Sequence, residues 1–151
     1  MDGGLTAENL RQMPQPRHVS YPPRSADFFV TVNATVTGAA SQTLWTPSPG
    51  RKFRLRGGEL SATFTTRGTG AGICHLVLFR VGTASHVVSS LGALDCASPA
   101  GYMVANRAAI DLVEGVRGEA LGDLLKVGAT ATIGSGEILV SGILWGTEVR
   151  N

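Results

Sequence analysis

Charge and aromatic side chains are both scarce in this sequence: charged residues fill 16% of 151 positions and aromatics 6%, against 43% hydrophobic. Thirteen basic and eleven acidic residues nearly cancel, leaving a net charge of +2. That is too little to gather nucleic acid by bulk electrostatics, so nucleic acid is not an expected partner. No apolar run approaches the roughly 20 residues of a membrane helix, so no membrane partner is expected. The opening MDGGLTAENLRQMPQPRH carries no apolar signal core. A soluble chain made in a cytoplasm is the expectation. Two cysteines, Cys74 and Cys96, are too few for a disulfide framework. A hairpin turning at Gly82-Thr83-Ala84 sets Cys74 against Gly92, several residues short of Cys96, so buried free thiols are the default reading.

Chemistry-bearing patterns are thin as well. His18, His75 and His86 have no metal-ligand spacing, and His75, inside an apolar run, reads as a hydrogen-bonded core histidine. The carboxylates Asp95, Asp111, Glu114, Glu119 and Asp123 are scattered rather than paired for acid–base work. The run Gly68-Thr69-Gly70-Ala71-Gly72 lies between two expected strands, whereas a phosphate loop opens a helix. It reads as a plain loop. No catalytic residue, metal site or cofactor is expected, and the chain is not expected to be an enzyme.

What the sequence does have is glycine, twenty of them, and period-two alternation. Phe53 and Leu55 alternate with Lys52, Arg54 and Arg56, and the pattern resumes after Gly57-Gly58 with Leu60, Ala62 and Phe64 on one side. The paired glycines suit a bulge. Phe28, Val30, Val32, Ala34 and Val36 share the buried face of an earlier strand. Ile73–Val81 is apolar on both faces and so central to a sheet, and Val87–Leu91 answers it. Met103–Val113 and Glu137–Val149 are further strands. Glu114–Lys126 has leucines at helical spacing but too many glycines for a helix, and an extended segment over 119–126 is the preferred reading. Phe28, Val30, Phe53, Leu55, Leu60, Phe64, Leu78 and Ile143 are the expected core, with Trp45 near Trp145. Gly142 and Gly146 leave room for something bulky. Eight to ten strands fit an all-β antiparallel sandwich, and a two-sheet jelly roll suits the irregular loops better than an up-and-down barrel.

Residues 1–26 read differently, as an extended N-terminal arm before a domain over 27–151. They hold four of the seven prolines and no alternation. Thr6 is placed to cap a short helix to Met13, with Leu5 reaching Leu10. So short a helix is not stable alone, so the arm orders only against another chain. Leu5, Leu10, Met13 and Tyr21 are its apolar anchors, and Arg11, Arg17 and Arg24 its cations. Arg51, Lys52, Arg54 and Arg56 form the densest charge cluster. It reads as a solvated strand face that discourages edge pairing, with a site for phosphate or an acidic partner surface as the sharper alternative.

The segments LWTPSPGRKFRLRGGELSA and GEALGDLLKVGATATIGSGEILVSGILWGTEV resemble those of small jelly-roll virion proteins of tailed bacteriophages. The resemblance spans Leu44 to Glu148 and is carried by the W-x-P turn with its basic strand and by the closing WGTE. It implies a capsid decoration, or cement, protein on the outer capsid surface of the virion, whose partners are major capsid protein subunits and its own copies in a homotrimer. The arm, through the seven residues named above, is the expected clamp. The alternative it leaves is a receptor- or glycan-binding module of a tail tip or fibre, for which Tyr21, Tyr102 and Phe29 are the candidate aromatics.

Overall fold

The computed structural model of the protein describes residues 28–117 and 122–150. The arm and its seven candidate anchors lie outside the described residues. Within them the chain is all β: β1 (Phe28–Thr37), β2 (Gln42–Trp45), β3 (Arg51–Thr66), β4 (Ile73–Val81), β5 (Ser85–Asp95), β6 (Met103–Arg117), β7 (Leu124–Ala129) and β8 (Glu137–Arg150). They form two four-stranded antiparallel sheets, ordered β1-β8-β3-β6 and β2-β7-β4-β5. Successive strands therefore often lie in opposite sheets.

Alternation builds the core. Val32 and Val36 from β1, Phe53, Leu55, Leu60 and Phe64 from β3, and Ile138, Val140 and Leu144 from β8 meet Leu76, Leu78, Leu125 and Val127 from the second sheet in one buried cluster. The two sheets thus share a sandwich core. Burying each such side chain contributes roughly 1.5–3 kcal/mol. Phe28 and Val30 are only half-buried, packed against the cluster's margin. Ile143 does not join it: β8 turns Leu144 inward, so Ile143 falls on the outer face, half-buried.

The same parity separates the two tryptophans. Trp45 faces the core, stacked on Phe28 at 5.9 Å and tilted against Phe53 at 5.8 Å between centroids. Trp145 lies on the outward face of the first sheet, where a Cβ on Gly57 would come within 2.9 Å of its ring. The expected contact between them is therefore replaced by the thickness of a sheet. The room at Gly142 and Gly146 is taken not by a side chain but by β3 itself: a Cβ there would meet the carbonyl oxygens of Glu59 at 2.0 Å and Arg54 at 2.1 Å. Gly142 also has φ +143°, in the region that favours glycine.

Bulges account for most other departures. The β3 register skips Arg56 between Leu55 and Gly57 against β8, so the bulge precedes the glycine pair. The hairpin β4–β5 holds two bulges, and Cys74 pairs with Leu94 rather than Gly92. β7 begins at Leu124, later than the extended segment expected from residue 119. Residues 119–121 of that expected segment lie outside the described residues. His75 is exposed rather than in the core, because β4 points Cys74, Leu76 and Leu78 inward and the odd positions outward.

Candidate functional site

The first sheet gathers cations at one end. Arg51, Lys52, Arg54 and Arg56 sit at the start of β3, and the register sets Arg150 opposite Arg51 and Arg117 opposite Arg54. Six basic residues distant in sequence thus share one sheet end. The four on β3 are half-buried and Arg150 is exposed. The Nε of Arg56 is buried with no hydrogen-bond partner among the described residues. Because β3 lies between β8 and β6 from Arg54 onward, Arg54 and Arg56 do not guard an edge, and the reading as edge protection falls there. Beside them on the outward face, Phe29 is 50% exposed and registers with Trp145.

Glu148 organises the turn above this end. It is buried on the core side of β8, where its Oε1 accepts from Trp45 Nε1 at 3.1 Å, and the Ser48 backbone N–H is shared between both oxygens at 3.1 Å. Burial works to raise its pKa. Hydrogen bonds from Ser48 and Trp45 and the charge of Arg51 together outweigh that, and the carboxyl titrates below its ordinary value of 4.5. Trp45-Thr46-Pro47-Ser48 and the closing Trp-Gly-Thr-Glu are therefore joined by hydrogen bonds across about a hundred residues of chain. The sequence held one signal of this pairing that went unread: an indole N–H beside an apolar turn needs an acceptor.

The far end of the sandwich is apolar. Ile73 is 78% exposed, and with Ala93, Leu94, Asp95 and Tyr102 it lines a shallow depression of about 280 Å³. Met103 adds exposed apolar surface on β6, whereas Val87, exposed on β5, registers with Phe79 toward the opposite end. Asp95 is held in its own turn, its Oδ1 accepting from Ala97 N at 2.9 Å. Phe29 and Tyr102 do not form a shared aromatic platform. Phe29 lies in the row of Trp145 and Gly57, while Met103, next to Tyr102, registers with Thr63. The strand between Gly57 and Thr63 spans about 20 Å.

Among the described residues no three of His, Cys, Asp and Glu are grouped to hold a metal ion. No helix of the described residues is long and apolar enough to cross a membrane. The loop 68–72 joins β3 to β4 and opens no helix. What the fold does bring together is a cationic end with an exposed phenylalanine and an apolar end with an exposed tyrosine. No family model, curated protein or solved structure matches the chain.

Proposed function

We propose that this protein is a virion structural protein of a tailed bacteriophage, a decoration protein that binds the outer surface of the head. The observation that carries the reading is the strand order, β1-β8-β3-β6 facing β2-β7-β4-β5. That order supports reading the sandwich as an eight-stranded jelly roll, an architecture used by viral capsid and lectin domains. The likeness of the W-x-P and WGTE segments to virion proteins points the same way, and Glu148 joins those two segments.

In this reading the body attaches by surface rather than by chemistry. The cationic end faces acidic groups of the capsid subunits, and the arm over 1–26 adds Arg11, Arg17 and Arg24 with the apolar anchors Leu5, Leu10, Met13 and Tyr21. The apolar end, around Ile73, Tyr102 and Met103, packs copies together as a homotrimer. A lectin-like tail module is the second reading, favoured by Tyr102 beside its depression. Deleting residues 1–26 tests the first. The truncated protein should keep its sandwich and its thermal midpoint while losing attachment to particles. Full occupancy by the truncated protein would remove the arm from the mechanism.

A further inference from the structure

The two bulges of the β4–β5 hairpin have a chemical consequence. Val81 opposes Ser85, but Val88 and Leu91 are each skipped in the ladder, so β5 gains two residues on β4 before Cys74 meets Leu94. The ladder then continues past the strand ends. Ile73 opposes Asp95, and Cys96 N–H donates to the Gly72 carbonyl at 2.9 Å. Cys74 on β4 and Cys96, one residue past β5, consequently point into the same buried layer. Their sulfurs are 3.1 Å apart, and both residues are buried free thiols. That separation exceeds an S–S bond by only about 1 Å, so a shift of roughly half an ångström from each sulfur closes it.

We propose that Cys74 and Cys96 form an oxidisable dithiol, a modification site that closes to an intrachain disulfide at the loop end of the sandwich. This inference is independent of the functional reading above. The oxidant class is a low-molecular-weight disulfide, RSSR. One cysteine loses its proton and its thiolate attacks a sulfur of RSSR, forming a mixed disulfide and releasing RS⁻, which is protonated to RSH. The second cysteine then loses its proton and attacks the protein sulfur of that mixed disulfide, expelling the second RS⁻. Two protein thiols give up two electrons and two protons, and RSSR is reduced to two RSH.

The surroundings determine when this happens. The loop over 67–72 covers Cys96: Gly70 N–H donates to the Cys96 carbonyl at 3.1 Å, and a Cβ on Gly70 would stand 2.8 Å from the Cys96 Cβ. Burial, then the hydrogen bond with Cys96, pushes the Cys74 thiol up to about 11. Attack by that thiol is therefore slow at neutral pH in the folded protein and fast while the chain is still folding. Once made, the bond ties the start of β4 to the turn after β5 and closes the whole hairpin into a covalent loop.

Refolding the full chain in glutathione buffers from reducing to oxidising composition tests this without limiting access to the sulfurs. Both thiols should disappear together, with a mass loss of about 2 Da per chain, reversed by dithiothreitol. Trypsin should then release the peptides Gly68–Arg80 and Val81–Arg107 as one linked species. The thermal midpoint should rise by roughly 5–10 °C over the reduced protein. Cys96→Ala and Cys74→Ala, each checked for sheet content by circular dichroism, should show neither the linked species nor the rise. Free thiols persisting in folded protein under the most oxidising buffer would overturn the proposal. So would links between chains, stable glutathione adducts in place of the link, an equal rise in a single-cysteine variant, or a link that lowers the midpoint.

Discussion

Replacing Glu148 probes a buried carboxylate that joins two segments about a hundred residues apart in the chain. In Glu148→Ala, the Trp45 indole N–H and the Ser48 backbone N–H lose their acceptor at 3.1 Å. A hydrogen bond to a charged group is worth about 1.5–3 kcal/mol, and a buried donor left unpaired carries a desolvation penalty of similar size. Two such bonds, less some water entry at the partly buried Ser48, put the expected loss at about 3–5 kcal/mol. Glu148→Gln keeps one carbonyl oxygen, but its amide nitrogen sets a donor against a donor, so about half that loss is expected. Urea unfolding at constant m value reads both losses. The pH dependence has a definite sign. The folded-state pKa is depressed, so the carboxylate's contribution is fully present above the unfolded value near 4.5 and is lost as pH falls through the folded pKa. The gap between wild type and Glu148→Ala should therefore narrow in acid. An Ala variant as stable as wild type, or a gap unchanged by acid, would refute the reasoning.

Other substitutions test the sandwich and its surfaces. Phe53→Ala, at a fully buried position in contact with Trp45, should cost about 3–5 kcal/mol in denaturant unfolding. Gly146→Ala places a Cβ 2.1 Å from the Arg54 carbonyl oxygen, and separating β8 from β3 should destabilise by about 3 kcal/mol or more. Lys52→Glu with Arg150→Glu should weaken attachment to particles, and the wild-type attachment should weaken with added salt, while the melting temperature moves little. Ile73→Asp, at an exposed apolar position, should reduce self-association in light scattering without unfolding the protein.

Much of the sandwich was legible because alternation is a local signal. Phe53, Leu55, Leu60 and Phe64 declare the inward side of β3, and all four are buried. Parity fails wherever a bulge or a two-faced strand intervenes. β8 is apolar on both sides, so nothing in ILVSGILWG says that Leu144 rather than Ile143 enters the core, and the Trp145 error follows from the same ambiguity. The cysteine register was missed because Val88 and Leu91 sit out of the ladder; Gly92 beside Leu91 marks one bulge, but no glycine or proline adjoins Val88 to mark the other. The cationic end was half visible. Arg51 to Arg56 cluster in sequence, but only non-local pairing of β3 with β6 and β8 brings Arg117 and Arg150 to them. The Glu148 clamp depends on the same kind of long-range closure.

Where the protein sits on a particle, and in what number, tests the decoration reading most directly. Quantitative mass spectrometry of purified virions, combined with electron microscopy of particles labelled on this chain, gives both. The account predicts label spread over the head and a copy number in proportion to that of the major capsid subunits. Label confined to the tail, in only a few copies, would contradict it and leave the lectin-like module in its place.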